Sequence, residues 1–311
     1  MKITKHVKKI SIKRLIHERL SGFREARGYK RIHASDVTKP EYCPREVRLM
    51  DVLNVKAKDE FIGTALAITF DHGEENNSMV ADRWLRDLAV GDWLCKECGH
   101  LHLFTKVPHT CVKCNSRSLV YREVRFTSEK SGVSCGIDLF LDVGRPLLCP
   151  VELKTIDRNK FKDPDPKKKG GLKAPLAEHK QRTCLYLRSI AESNNPNKDK
   201  IDTNTAVILY RSKGHGVKDT EVGDYDFRDD RISPFKEFIV HRDDTLTDLP
   251  VRRAWAVRTS RDLGVIPEGI CSVAFCKRAT QCHVTAACFS GNHPIGLKWR
   301  PEESTPEEEP A

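Results

Sequence analysis

Residues 136–154 read GIDLFLDVGRPLLCPVELK, and the rest of the chain is organised around them. Ile137, Leu139 and Leu141 alternate with Gly136, Asp138 and Phe140. A turn follows over Asp142-Val143-Gly144-Arg145-Pro146, and a second apolar run ends in Val151-Glu152-Leu153-Lys154. Side chains alternate across a strand, so the pattern predicts a β-hairpin. Asp138 then lies among apolar neighbours on the first strand. Glu152 and Lys154 share one face of the second, and Val151 and Leu153 take the other. Two carboxylates and an ammonium at the end of an apolar hairpin are costly without a partner. A divalent cation with oxygen ligands is the natural one. A surface salt bridge between Glu152 and Lys154 is the plain rival, which the apolar flanks disfavour.

The chain has 311 residues, enough for one large domain or two modest ones. Its 54 Lys and Arg against 44 Asp and Glu leave a formal net charge of +10, which points to an anionic partner, most often nucleic acid. No apolar run approaches the ~18 residues of a membrane span. The N-terminal MKITKHVKKISIKRL is basic but lacks the apolar core of a secretory signal. No membrane partner and a cytoplasmic location are expected. Twelve cysteines in that compartment imply metal or cluster ligation before disulfides.

Residues 1–34 predict a basic amphipathic helix, with Ile10, Ile12, Leu15, Ile16, Leu20 and Phe23 near helical spacing. Such a helix tracks phosphates or docks on the body. Residues 59–90 read as helix, with a stripe of Val80, Trp84 and Leu88, and carry His72. A basic loop containing Lys167-Lys168-Lys169 leaves the hairpin. Residues 176–192 predict a helix that brings Gln181 and Tyr186 toward the hairpin. TAVILY at 205–210 predicts a buried strand, 235–241 an edge strand and 248–263 a helix. The acidic tail, 300–311, is expected to be disordered.

Cys95-Lys-Glu-Cys98 and Cys111-Val-Lys-Cys114 are two knuckles whose four thiolates complete a tetrahedron, the pattern of a closed Zn²⁺ ribbon over 93–119. The ribbon is either a scaffold or, through His100, His102, Lys106, His109, Lys113 and Arg117, a nucleic-acid contact. Cys271, Cys276, Cys282 and Cys288 have wider spacings, which suit an iron–sulfur cluster taking three of them and one distant cysteine.

Asp138 followed by Glu152-Leu153-Lys154 resembles the D…E-x-K motif of the PD-(D/E)XK nuclease superfamily. With His72 upstream and Gln181 and Tyr186 downstream, the order resembles the RecB-like branch. Cys43-Pro44-Arg45, taken with the C-terminal cysteines, is similar to the iron–sulfur RecB-like exonucleases, among them the CRISPR-associated exonucleases and the AddB nuclease domain. The resemblance covers about residues 35–290 without the ribbon. Two spacings depart from the family pattern: Tyr186 lies five residues after Gln181 rather than one helical turn, and no C-x-x-C occurs among the last four cysteines.

The resemblance implies an α/β, restriction-endonuclease-like core with a mixed central sheet flanked by helices, over 35–92 and 120–265. It implies a [4Fe–4S] cluster region over 266–292 closed by Cys43, with one of Cys271, Cys276, Cys282 and Cys288 spare. Asp138, Glu152 and the Leu153 carbonyl would hold Mg²⁺ or Mn²⁺, and His72 a second ion. Lys154 would orient or deprotonate the attacking water, and Gln181 would position Lys154 or the phosphate, with Tyr186 as the other half of that motif. The implied activity is a metal-dependent DNA exonuclease acting on single strands or DNA ends, with protein partners in recombination, repair or CRISPR adaptation. A structure-specific endonuclease is the alternative enzyme. The alternative non-enzyme is a zinc and iron–sulfur nucleic-acid-binding subunit active only in a complex. The cluster's role would be architectural, with redox sensing as its rival.

Overall fold

The computed structural model describes residues 22–24, 30–55, 60–62, 64–161, 171–213, 235–290 and 295–297. Along the chain come β1 (Gly22–Arg24), β2 (Ile32–His33), α1 (Ala34–Val37), α2 (Pro44–Val52), β3 (Glu60–Ile62) and α3 (Thr64–Met79). A π-helical turn, Val80–Trp84, ends that helix. Then follow β4 (Ala89–Cys95), β5 (Leu101–Lys106), β6 (Leu119–Arg122), β7 (Arg125–Thr127), β8 (Val133–Gly136), β9 (Leu139–Leu141) and β10 (Cys149–Asp157). The rest is α4 (Arg158–Phe161), α5 (Ala177–Ala191), β11 (Thr205–Lys213), β12 (Phe235–His241), α6 (Asp248–Asp262), β13 (Ile266–Pro267), α7 (Lys277–Thr280), α8 (Thr285–Phe289) and β14 (Ile295–Leu297).

The fold is α/β, with mixed sheets flanked by helices. Seven strands form the main sheet in the order β12-β11-β10-β9-β4-β5, with β6 also paired to β4. The hairpin read from the sequence is present: β9 and β10 are antiparallel, with Val151 opposite Leu139 and Cys149 opposite Leu141. β10 and β11 are parallel, placing Lys154 beside Tyr210. Parallel neighbours need a crossover, and α5 lies on it. β12 is an edge strand, as expected. A smaller sheet, β2-β8-β7, stands beside the main one. Leu185, Leu187 and Ile190 of α5 are fully buried with Phe126, Ile137 and Phe140 between the two sheets. Each such side chain contributes roughly 1.5–3 kcal/mol by leaving water.

Three expectations change. Gly22–Arg24, near the expected end of the N-terminal helix, is strand rather than helix: β1 pairs with β3, so backbone pairing prevails over the apolar spacing there, while Ile32–His33, beyond that helix, pairs as β2 with β8. The rest of the helix expected over 1–34 lies outside the described residues, as do Lys167-Lys168-Lys169 and the tail at 300–311. The knuckle segment is not set apart from the core. β4 ends in Cys95, pairs with β9, and buries Trp93 completely, with the indole N–H donating to the Thr105 carbonyl at 3.0 Å. Finally, the helix expected over 59–90 stops at its π turn, so Val80 is buried while Trp84 remains 48% exposed.

At the other end of the molecule, α2 packs on β13 and α8 through Leu49, Met50, Ile266 and Val284. Pro44 opens α2 at the position where its missing N–H costs nothing. Among the described residues, no helix is long and apolar enough to cross a membrane.

Candidate functional site

Asp138 is not on a strand. It occupies the short break between β8 and β9, where the chain leaves the small sheet for the main one. The β9–β10 ladder stops at Val151, and the Asp138 carboxylate takes over: Oδ2 accepts the Leu153 N–H at 2.8 Å. Oδ1 accepts from Asn77 Nδ2 of α3 at 3.1 Å. Two elements far apart in sequence thus fix the carboxylate.

Glu152 and Lys154 share a face of β10, as the alternation required. Lys154 Nζ donates to Glu152 Oε1 and, at 3.2 Å, to the Leu153 carbonyl, and it lies 3.9 Å from Asp138 Oδ2. The ion pair between Glu152 and Lys154 therefore forms, but in the interior: Glu152 is 3% exposed. Its second oxygen, Oε2, is buried without a hydrogen-bond partner among the described residues. Burial, and then the charge of Asp138, push the Glu152 carboxyl above its ordinary range. Burial works to lower Lys154, but Glu152 and Asp138 outweigh it and hold the ammonium above its ordinary range. Such a pair is weak evidence for stability, because desolvation offsets most of its attraction. Glu123 stands alongside, so close that a Cβ on Gly136 would collide with its carboxylate, and its charge reaches Glu152.

Helix α5 brings Tyr186, but not Gln181, to this site. Gln181 Nε2 donates to the Leu246 carbonyl at 2.9 Å, away from Lys154. His179, Arg182 and Tyr186, at i, i+3 and i+7, face the carboxylates instead. His179 Nδ1 is 2.8 Å from the Tyr210 hydroxyl, and burial together with the Lys154 charge hold the imidazole down at about 4. Arg182 acts electrostatically on Lys154, His179 and Tyr186, and its Nε is buried without a partner. Tyr186 is 8% exposed, and its hydroxyl is pushed well above its ordinary range by burial and then by Glu152. His179 and Arg182 were missed in the sequence; their helical spacing with Tyr186 was the available signal. His72 is on α3, and its side chain lies outside the described residues.

The knuckle cysteines converge. Cys95 Sγ is 3.5 Å from Cys114 Sγ, Cys98 Sγ is 3.6 Å from Cys111 Sγ, and all four sulfurs lie within 4.8 Å of one another. A tetrahedral zinc with 2.3 Å bonds sets its sulfurs ~3.8 Å apart, so the set fits a metal such as zinc. The two knuckles close alike. Gly99 N–H donates to the Cys95 carbonyl and Asn115 N–H to the Cys111 carbonyl, at 3.0 and 2.8 Å. Both residues are left-handed, with φ of 70° and 57°. The N–H of Cys98, and after it that of Glu97, draw the Cys95 thiol down to about 7.

Cys43, Cys271, Cys282 and Cys288 line one narrow pocket between α2 and the C-terminal helices. Cys276 is not among its lining residues; its sulfur accepts the Ala279 N–H at 3.3 Å. Arg278 pairs with Glu46, and Arg45 Nη1 lies 3.8 Å from Cys288 Sγ, locking the two chain ends together. These sulfurs do not converge as the knuckle set does: among the described residues, the knuckle cysteines alone bring three or more ligand atoms within 4.8 Å. A cluster of several irons spreads its thiolates farther apart than a single ion, so a lining of four separated cysteines is compatible with one.

No protein-family model matches the chain. No curated protein matches it significantly in sequence. A solved structure, the crystal structure of SSO0001, aligns over 79% of this chain and 82% of its own at 14% identity with a TM-score of 0.31, a likeness too weak to carry any argument.

Proposed function

We propose that the chain is a metal-dependent nuclease that hydrolyses DNA phosphodiester bonds, with Asp138, Glu152 and the Leu153 carbonyl holding Mg²⁺ or Mn²⁺. One observation carries this reading. Three hard oxygens from those residues surround a single cationic group, the Lys154 ammonium, while a further buried oxygen, Glu152 Oε2, has no partner. Such a set suits a divalent cation better than it suits an ammonium. A cation bound there supplies Lewis-acid polarisation and a nucleophilic water. Lys154, released from its carboxylates, orients that water and offsets charge on the phosphate. Arg182 adds a second positive group on the α5 side. The Cys95, Cys98, Cys111 and Cys114 set holds zinc in a structural role. Cys43, Cys271, Cys282 and Cys288 hold an iron–sulfur cluster that ties α2 to the C-terminal helices, with Cys276 spare.

The finer assignment, an exonuclease on single strands or DNA ends in recombination, repair or CRISPR adaptation, rests on the resemblance of the D…E-x-K and cysteine order. Incubation with linear and circular, single- and double-stranded DNA in Mg²⁺ or Mn²⁺ tests all of it. Linear DNA should be degraded, and Asp138→Ala, Glu152→Ala and Lys154→Ala should each lower the rate by about 10³-fold or more with circular dichroism unchanged. Cutting of circles would make it an endonuclease. Cleavage that survives all three substitutions would remove the nuclease reading.

A further inference from the structure

A pocket of about 490 Å³ lies outside the acidic site, on the small sheet, where β2, the β7–β8 pair and the C-terminal end of α6 meet. Its size is that of a site for a small ligand. Lys30, Arg31, Arg125, Arg258 and Arg261 line it, against Asp262 as the one carboxylate.

Two of the arginines are anchored by backbone. Arg258 Nη1 donates to the Glu129 and Lys130 carbonyls, and Arg261 Nη1 to the Lys30 carbonyl at 3.1 Å while its Nη2 pairs with Asp51. Gly132, at φ +72°, makes the left-handed turn beside the Arg258 stem. Lys30, Arg31 and Arg125 form no ion pair among the described residues, and Arg31 and Arg125 are exposed. The pocket thus combines fixed guanidinium walls with unneutralised charge at its mouth. Clustered like charges repel one another, and no described partner relieves Arg31 and Arg125. Guanidinium forks match phosphate oxygens better than a lone carboxylate would require.

We propose that this pocket binds phosphate groups, and specifically the backbone of a nucleic-acid strand. Arg31 and Arg125 at an exposed mouth suit a continuous polyanion running past it, whereas a free nucleotide would be held inside. This binding stands whether or not the acidic site cleaves DNA.

The test is made in EDTA, so that cleavage plays no part. Anisotropy of a labelled single-stranded oligonucleotide is titrated over a range of salt for wild type, Arg31→Glu, Arg125→Glu and the double variant. The double variant should bind at least ~10-fold more weakly, with its log–log salt slope reduced by about 1.4, the value for two lost phosphate contacts. The milder Arg31→Gln/Arg125→Gln pair should fall in the same direction, and matching melting curves and zinc contents show that the fold is intact. Inorganic pyrophosphate and ATP form the second arm. If these raise the melting temperature of wild type but not of the double variant, while oligonucleotide binding is unchanged, the phosphate site stands and its source is a free nucleotide. If neither probe distinguishes the folded double variant from wild type, the proposal is overturned. Because binding is read in EDTA, the outcome does not depend on whether Asp138 and Glu152 support cleavage, which separates it from failure of the nuclease reading.

Discussion

The knuckle site and the carboxylate site both gather groups of the kind that ligate cations, but from very different lengths of chain. Cys95, Cys98, Cys111 and Cys114 are brought together by two matching turns, each closed by its own N–H to carbonyl bond. Their sulfurs stand at metal-binding separations from backbone geometry alone. The carboxylate site needs α3, the β8–β9 break, β10 and α5 at once. It leaves one buried oxygen unpartnered and two acids close to each other. The first arrangement is closed and stabilising. The second is open, electrostatically unfavourable on its own, and positioned by the rest of the fold. Local chain geometry serves to build, and long-range packing serves to hold like charges where they would not sit unaided.

The largest effect should come from the knuckles. β4 carries Cys95 at its end and pairs with β5, β6 and β9, so loss of the metal loosens the main sheet itself. Chelation, or Cys111→Ser, should lower the melting temperature by about 10 °C or more, because structural zinc contributes several kcal/mol to folding. Calorimetry with metal analysis checks this. An unchanged melt after complete zinc loss would put the two sites on the same footing, with apolar packing alone supporting the knuckles.

The carboxylate site should respond in the opposite way. Glu152→Gln removes one of two neighbouring carboxylates, keeps the side chain's shape and leaves Asp138 facing the Lys154 ammonium, so the metal-free variant should melt within a few degrees of wild type. Mn²⁺ at a hundred times its dissociation constant adds about 2.7 kcal/mol to whatever binds it, which corresponds to a rise on the order of 5 °C. Wild type should show that rise and Glu152→Gln should not. A rise of the same size in both would place the ion elsewhere.

The difference between the sites also explains what the sequence discloses. Two C-x-x-C knuckles are a local pattern, and they converge as read. The alternation around Leu139 and Val151 is local too, and the hairpin forms with the pairing that alternation implies. Periodicity says nothing about where a chain changes sheets, so Asp138 reads as a strand residue although it lies in the break. Nor does cysteine spacing show that Trp93, on β4 between β5 and β6, is buried in the main sheet. On α5, resemblance selected Gln181, whereas the helix turns that amide to Leu246 and presents Arg182 one position later. The placement of Cys43 with Cys271, Cys282 and Cys288 depends on ion pairs such as Glu46 to Arg278, contacts between chain ends that no local pattern encodes.

The smallest effect concerns His179, which belongs to the carboxylate site through Lys154. Its imidazole is held at about 4, below its ordinary value, chiefly by burial and then by the neighbouring ammonium. The folded state therefore disfavours the protonated ring. At pH above the ordinary histidine value, near 6.5, the ring is neutral in both folded and unfolded chains, and this contribution to stability is complete. As the pH falls from there toward 4, the unfolded chain binds a proton that the folded chain refuses, and the contribution is lost. Melting temperatures of wild type and His179→Gln, measured from pH 8 to 4, isolate it: glutamine can still hydrogen-bond to Tyr210 but does not titrate. The wild-type curve should fall by a few degrees more than that of the variant across this window. Cys111→Ser leaves His179, Lys154 and Tyr210 untouched and should leave the difference in place. Parallel curves for wild type and His179→Gln would mean that the imidazole is not held under the field of Lys154, and the carboxylate site would then be less tightly assembled than its hydrogen bonds indicate.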